Sequence, residues 1–169
     1  NRGNLSKIFG ELFMLIEKDK RGIELQLLYS DENFSVPANV YIIGMMNTAD
    51  RSLAMLDYAL RRRFSFFTMK PGFNTPGFQA YQDSLKNDAF NKLIACVKQL
   101  NSKIAEDISL GEGFCIGHSY FCGLTPETAN TQTLSSIVEY ELIPLLKEYW
   151  FDEPAKIVDW SDRLRSAVK

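Results

Sequence analysis

The segment Tyr41-Ile-Ile-Gly-Met-Met-Asn-Thr-Ala-Asp-Arg51 is the most informative part of the sequence for the fold class. Apolar or small residues run without a polar break from Val40 to Met46, and the run ends abruptly at Asn47. A short continuous apolar run is typical of a strand covered on both faces, which is the usual state of a parallel sheet in an α/β protein. The sequence therefore predicts an α/β fold with a buried parallel strand at residues 40–46.

The polar cluster after this strand has two interpretations. Ligands of open α/β sheets bind beyond the carboxyl ends of the strands. The amide of Asn47, the carboxylate of Asp50 and the guanidinium of Arg51 therefore indicate a site. The same residue types also favour turns. A polar turn that leads into a helix beginning at Ser52 is the alternative interpretation.

The sequence around this stretch predicts further elements before a clear boundary. We expect an N-terminal helix with an apolar stripe from Leu5 to Ile16, a hairpin built from Ile23–Tyr29 and a piece near Phe34, and a strand at Phe64–Met69. Pro71-Gly72 and the cluster Asn74-Thr-Pro-Gly77 mark the boundary. Beyond it the pattern is mostly helical, with helices predicted at 77–86, 88–107, 133–149 and 155–167 and a glycine-rich extended segment at 111–121.

Composition narrows the class of protein. The 169 residues carry a net charge of −2 and have a pI near 5.5, which argues against a surface built mainly to bind nucleic acid. The three cysteines have no Cys-x-x-Cys spacing and His118 is the only histidine, so we predict free thiols and no metal site. No signal peptide or membrane-spanning run is visible. We expect a cytoplasmic location and no membrane partner.

The run Arg61-Arg62-Arg63 has several interpretations. Cations are favoured at a helix C-terminus, and Asp57 lies four residues before Arg61 at the spacing of a helix-surface ion pair. Contact with DNA phosphates is a second possibility, weakened by the acidic net charge. An arginine finger, which presents a guanidinium to the transferring phosphate of a neighbouring subunit, is the functional interpretation.

Several segments together resemble the McrB family, whose members supply the GTP-hydrolysing AAA+ motor of modification-dependent restriction systems. The signature Met46-Asn-Thr-Ala-Asp-Arg51 is the most specific of them. The others are Asn1-Arg-Gly-Asn-Leu-Ser-Lys-Ile-Phe-Gly-Glu-Leu12, Asp57-Tyr-Ala-Leu-Arg-Arg-Arg-Phe-Ser-Phe66, Pro71-Gly-Phe73, Phe114-Cys-Ile-Gly-His-Ser-Tyr-Phe121 and Pro144-Leu-Leu-Lys-Glu-Tyr149. The resemblance implies the C-terminal part of a P-loop AAA+ core at residues 1–73, with a parallel sheet and helices, and a mainly helical lid subdomain at residues 74–169.

The resemblance also implies roles for individual residues. Asn47 matches the sensor-1 position, which orients the attacking water, and either Arg62 or Arg63 matches the trans-acting finger. Asp50 would stand beside the nucleotide. The remaining matches are the nucleotide-proximal pair His118 and Ser119, for which a hydrogen-bonded pair that holds a turn is the alternative, and the subunit-interface residues Arg2, Arg51 and Arg61.

Two expected motifs are missing from the chain. No Gly-x-x-x-x-Gly-Lys-Ser/Thr loop occurs, and the Walker B carboxylates that the family places just before Asn1 are not in the sequence. Without the loop, the chain lacks the backbone N–H groups and the lysine that would bind the phosphates of the nucleotide. Without the carboxylates, it lacks the ligands that would hold Mg²⁺. We therefore expect the parent protein to use GTP (or ATP) with Mg²⁺, and this chain to be inactive alone with no tightly bound cofactor.

The family pattern implies a hexameric ring, a nuclease subunit of the McrC type, and DNA contacts made through domains outside this chain, with 5-methylcytosine as the modification recognised. Two other functions stay open. A MoxR-like AAA+ ATPase would remodel protein partners, and a non-catalytic AAA+ remnant would act as an assembly module. An unpaired edge at Val40–Met46 further predicts that the isolated chain self-associates.

Overall fold

A computed structural model describes residues 5–47 and 58–169 of the chain. The chain divides into two compact units, Asn1–Thr68 and Met69–Lys169, and each is described by itself. This division does not coincide with the domain boundary predicted after Phe73. The assignment of residues 1–73 to a core and 74–169 to a lid stays a prediction.

The N-terminal helix of the first unit is shorter than its apolar stripe predicts. Helix α1 covers Leu5–Phe9, and a 3₁₀ turn follows at Gly10–Phe13. Gly10 has a φ of +50°, a left-handed conformation that does not continue an α-helix and that glycine adopts at little cost. The chain then buries Leu15 and Ile16 before a second 3₁₀ turn at Lys18–Lys20.

The predicted hairpin is confirmed as a short one. Strand β1 (Leu25–Gln26) pairs antiparallel with strand β2 (Asn33–Phe34), with Leu25 opposite Phe34. The loop between them is closed by a hydrogen bond of 2.9 Å from the amide of Leu27 to the carbonyl of Glu32. These are the only strands in the described ranges 5–47 and 58–169.

The buried parallel strand predicted at Val40–Met46 is not found, and this prediction was wrong. The segment has no regular secondary structure and every side chain in it is exposed; Tyr41, Ile43 and Met45 are 87%, 90% and 95% accessible. The strand predicted at Phe64–Met69 is likewise absent, with Phe67 88% exposed. A strand needs a hydrogen-bonded neighbour, and the hairpin is the only sheet that the described residues form. Whether the isolated chain self-associates stays a prediction.

The helix predicted to end at the arginine run is confirmed at its C-terminus. Helix α2 covers Tyr58–Arg61, and residues 62–63 form the turn after it. The predicted start at Ser52 lies outside the described residues.

The predicted helices of the second unit are confirmed within a few residues. They are α3 (Pro76–Leu85), α4 (Asp88–Glu106), α5 (Thr131–Ile137), α6 (Ile143–Tyr149) and α7 (Pro154–Ala167). Local sequence fixes their starts. Thr75 and Asn87 accept hydrogen bonds from the amides of residues 78 and 90, and Pro76 occupies the first turn of α3, where its missing N–H costs nothing.

Helices α5 and α6 form one helical run that is interrupted by a π-helical segment, Val138–Leu142. The cause lies at Pro144, whose ring lacks an N–H and would clash with the carbonyl of Tyr140 in a regular α-helix. The wider turn relieves that clash while Val138 and Leu142 stay buried.

The second unit surrounds one apolar core. Helix α4 runs along it and buries one full face, and Trp150 at the end of α6 is completely inaccessible. Other large side chains that are fully buried in this core are Phe90, Leu93, Leu100, Ile104, Phe121, Leu134, Leu142 and Leu146. The predicted extended segment 111–121 instead contains two 3₁₀ turns, Glu112–Phe114 and His118–Phe121, because glycine and short-range hydrogen bonds favour tight turns there.

Candidate functional site

Asn47 follows the apolar run 40–46, which has no regular secondary structure, and is exposed. Its position after an apolar run is as the sequence predicts, but the run is not a strand in this structure. Asp50, Arg51 and Arg2, which the sequence places in or beside the same site, lie outside the described residues.

The side chains of the arginine run, residues 61–63, lie in three different environments. The guanidinium carbon of Arg61 lies 5.7 Å from the ring centroid of Phe66, which is a long cation–π contact. Arg63 is far more enclosed, with a side chain only 9% exposed. Arg62 is exposed, and among residues 5–47 and 58–169 its side chain makes no ion pair or ring contact.

Contacts with Glu17 and Phe13 hold Arg63. Its Nη2 atom lies 2.5 Å from Oε1 of Glu17, and its guanidinium carbon lies 4.2 Å from the ring centroid of Phe13. A guanidinium on an aromatic face and against a carboxylate is bound by both its charge and its flat surface. Arg63 therefore has its charge compensated within its own unit, whereas the charge of Arg62 faces solvent.

Sequence reasoning missed Glu17 and Phe13 as partners of this run. They lie in the turn region after α1, far from residues 61–63 along the chain, and the helical spacing of that region indicates only a buried stripe. No local signal in the sequence identifies them, because an ion pair between distant segments depends on how the chain folds back.

His118 holds the beginning of the second unit in place. Its Nδ1 atom accepts a hydrogen bond of 3.0 Å from the amide of Gly72. The imidazole also packs edge-on against the rings of Phe73 and Phe78, with centroids 6.2 and 5.7 Å away. This geometry matches the interpretation of a turn held by a hydrogen bond, although the partner of His118 is Gly72 and not Ser119, which is exposed one residue further on.

Residues that could bind a metal are not clustered in the part of the chain that the structure describes. Cys96, Cys115 and Cys122 are free thiols, and burial raises the pKa of Cys96 and of Cys115 above the ordinary value. None of the described helices is long and apolar enough to span a bilayer.

Comparison with known proteins matches both units. Residues 1–64 match the family model of the AAA domain (dynein-related subfamily), and residues 92–158 match that of the McrB alpha-helical lid domain. The chain is 52% identical over 97% of its length to the Type IV methyl-directed restriction enzyme EcoKMcrB subunit of Escherichia coli (strain K12). It is 28% identical over 68% of its length to the Type II restriction enzyme BsuMI component YdiS of Bacillus subtilis (strain 168).

The chain carries the C-terminal part of an AAA+ module followed by a helical lid, as the sequence predicts. Within that class it belongs to the McrB family. It spans 38% and 39% of the lengths of the two relatives, so the AAA+ part and the lid correspond to only a portion of such proteins.

Proposed function

We propose that this chain is part of the GTP-hydrolysing, DNA-translocating motor subunit of a modification-dependent restriction endonuclease that recognises 5-methylcytosine. The observation that carries the proposal is the 52% identity, across 97% of the chain, to a subunit named for methyl-directed restriction. The match to the McrB lid over residues 92–158 supports it independently of the AAA+ part.

The proposal assigns nucleotide chemistry to sites shared between neighbouring subunits. GTP (or ATP) and Mg²⁺ would be held by Walker motifs that this chain does not contain, so the chain alone would not hydrolyse nucleotide. Asn47 would orient the attacking water, since a neutral amide can position water without competing for the metal. Asp50, His118 and Ser119 would lie near the nucleotide, and Arg2, Arg51 and Arg61 would serve the subunit interface.

Arg62 is the finger in this proposal, and Arg63 is not. A finger has to leave its own subunit and reach the transferring phosphate of the next one. Arg63 is enclosed between Phe13 and Glu17 and would have to break an ion pair and a ring contact to do so. Arg62 is exposed directly after α2, and its planar fork suits phosphate oxygens.

Such a shared site requires an oligomer. We place the parent protein in a homo-oligomeric ring, a hexamer by its family pattern, with a nuclease subunit of the McrC type as its partner. Contacts with DNA would come from domains outside this chain, which agrees with the acidic pI of about 5.5.

Hydrolysis of GTP and ATP by the full-length parent protein tests the proposal. We expect GTP-selective turnover that falls by about 10³-fold or more in Arg62→Ala, as for other trans fingers. Lys103→Ala, which removes an exposed cation of α4 in the second unit, is the matched control and should turn over as the wild type does. Undiminished turnover in Arg62→Ala would remove the finger assignment, and a preference for ATP would favour a MoxR-like remodelling ATPase.

Mixed rings test whether Arg62 acts in trans. Asn47→Ala and Arg62→Ala subunits should each be inactive alone. When they are mixed, an interface that pairs the intact Asn47 of one subunit with the intact Arg62 of its neighbour becomes competent. Recovery of part of the turnover on mixing is the expected result, whereas an inactive mixture would contradict a site shared in this way.

A further inference from the structure

The environment of Arg63 suggests what this residue does instead of acting as a finger. Its guanidinium is bound on one side by the carboxylate of Glu17 at 2.5 Å and covered on another by the ring of Phe13 at 4.2 Å. The side chain of Glu17 is itself only 27% exposed. A pair in such a partly buried place is screened less by water and salt than a surface pair.

The segment that provides Phe13 and Glu17 is fixed to its own unit. It contains the 3₁₀ turn Gly10–Phe13, and residues 15 and 16 after that turn are buried. Further along, Nη2 of Arg21 donates a hydrogen bond of 3.1 Å to the carbonyl of Ile16. Glu17 therefore lies in a segment that is fixed by the buried residues before it and by the hydrogen bond of Arg21 after it. A carboxylate on such a segment can anchor the side chain of Arg63.

Arg62 depends on this anchor through the backbone. It follows the last residue of α2, where a helix frays most easily, and its amide donates only a long hydrogen bond of 3.3 Å to the carbonyl of Tyr58. The next residue, Arg63, is the first one after α2 that is anchored by its side chain. Fixing Arg63 restricts the backbone at Arg62 and hence the direction in which its guanidinium leaves the subunit.

We propose that Glu17 and Phe13 are positioning residues for the arginine finger, acting through Arg63. The inference rests on the proposed function, because it takes Arg62 as the group that reaches the neighbouring nucleotide. Catalytic groups have to be held within about 0.5 Å of their productive position, and a displacement of about 1 Å can lower a rate by about 100-fold. An anchored neighbour provides that precision for a side chain that is otherwise surrounded by solvent.

Glu17→Gln in the full-length parent protein is the first test. This substitution keeps the shape of the side chain and removes the charge that binds Arg63. We expect kcat for GTP hydrolysis to fall by about 10- to 100-fold while KM stays within about two-fold, because the finger acts on the transition state more than on the bound nucleotide. Glu24→Gln removes an exposed carboxylate from the same unit and should leave both constants unchanged.

A double-mutant cycle separates positioning from a merely structural role. In a protein that already carries Arg62→Ala, adding Glu17→Gln should cause no further loss, because there is no finger left to position. If Glu17 only supported the fold, the two losses would multiply. Multiplying losses, or a kcat of Glu17→Gln equal to that of the wild type, would overturn the proposal.

A second variant covers the case in which Glu17→Gln does not fold. Phe13→Leu keeps apolar volume and removes the aromatic face beneath Arg63. It should lower kcat in the same direction and should also be without effect in the Arg62→Ala background. If Arg62→Ala itself left turnover unchanged, the finger assignment would fail. If Arg62→Ala were inactive and both positioning variants were fully active, only the inference about Glu17 and Phe13 would fail.

Discussion

The carboxylate of Asp107 accepts a hydrogen bond of 2.9 Å from Nε1 of Trp150 and thereby joins the end of α4 to the end of α6. The same oxygen, Oδ2, accepts a bond of 2.8 Å from the ammonium of Lys156 on α7. The other oxygen, Oδ1, accepts bonds from the amide and hydroxyl of Ser109. The side chain of Asp107 is only 9% exposed, so one largely enclosed carboxylate connects three helices of the second unit.

Replacing Asp107 by Asn should destabilise the second unit. The amide keeps an acceptor for Trp150 but loses the charge that binds Lys156, and we expect the free energy of unfolding to fall by about 1–3 kcal/mol. Both tryptophans of the chain, Trp150 and Trp160, lie in this unit, so their fluorescence during urea unfolding reports this unit alone. Asp159→Asn, which disrupts an exposed pair with Arg163, is the control and should cost less than about 1 kcal/mol. Equal losses in the two variants would contradict the assigned role.

The stabilisation by Asp107 should depend on pH in the acid range. The hydrogen bond from Lys156, followed by those from Ser109 and Trp150, holds the pKa of Asp107 well below its usual range. A carboxyl whose pKa is lowered by folding stabilises the protein fully above its unfolded pKa of about 3.9 and loses that contribution as the pH falls towards the folded pKa.

The stability difference between wild type and Asp107→Asn should therefore be constant from about pH 5 to 7 and shrink below about pH 4. Urea unfolding followed by tryptophan fluorescence across that range measures it. A difference that persists undiminished to the lowest pH at which the protein stays folded would show that the charge of Asp107 is not what stabilises the lid.

The lid helices could be predicted because their signals are local. Thr75 and Asn87 are caps by residue type and position, and the apolar spacing of α4 continues to Ile104 at its buried end. The end of α2 at Arg61 was predicted for the same reason. Such features depend on neighbours within a few residues, which a sequence displays directly.

The state of Val40–Met46 could not be predicted in the same way. An apolar run shows that a segment favours burial, whereas the burial itself depends on which strands and helices cover it. The pair Glu17–Arg63 was missed for a related reason, since its two members come from separate segments and each carries an ordinary surface charge in the sequence. The roles of Asn47, Arg62 and His118 are hard to predict for the same reason. The role of each depends on groups that lie far away along the chain.

Gly72→Ala should destabilise the second unit because the imidazole of His118 occupies the space that a Cβ atom at residue 72 would need. A Cβ atom at residue 72 would lie 2.9 Å from Cε1 of the imidazole, whose ring packs against Phe73 and Phe78 and has little room to withdraw. Relief would lengthen the bond from the Gly72 amide to Nδ1. We expect a loss of about 1–3 kcal/mol in urea unfolding.

Two further variants make this prediction specific. Gly77→Ala lies in α3 with nothing within 4 Å of the added Cβ, so it should leave stability unchanged or raise it by up to about 1 kcal/mol. Combining Gly72→Ala with His118→Ala removes the clash, and the double variant should lose less than the sum of the single losses. Strictly additive losses would show that the two residues do not interact as the structure indicates.

The side chain of Asn101 on α4 forms hydrogen bonds with both backbone groups of Ile116, in the turn segment before His118. Its Nδ2 donates a hydrogen bond of 2.9 Å to the carbonyl of Ile116, and its Oδ1 accepts one of 2.7 Å from the amide of the same residue. Because Ile116 is 1% exposed, water cannot replace these bonds unless the segment moves. Asn101→Ala should therefore cost about 1–3 kcal/mol for each backbone group left unpaired, whereas Asn91→Ala, which removes an exposed bond to Gln82, should cost less than about 1 kcal/mol.

Loss of the hydrogen bonds of Asn101 should also change the alkylation rate of the Cys115 thiol. Cys115 precedes Ile116, is half-buried, and its Sγ lies 3.5 Å from the carbonyl of Asn101. If the segment loosens in Asn101→Ala, Cys115 becomes accessible and its alkylation, followed by mass spectrometry, should accelerate. Alkylation of Cys122, which is exposed in the intact chain, should keep its rate, as should that of Cys96 inside α4. A faster reaction at Cys96 as well would indicate that the whole lid opens, and an unchanged rate at Cys115 would show that Asn101 does not hold this turn.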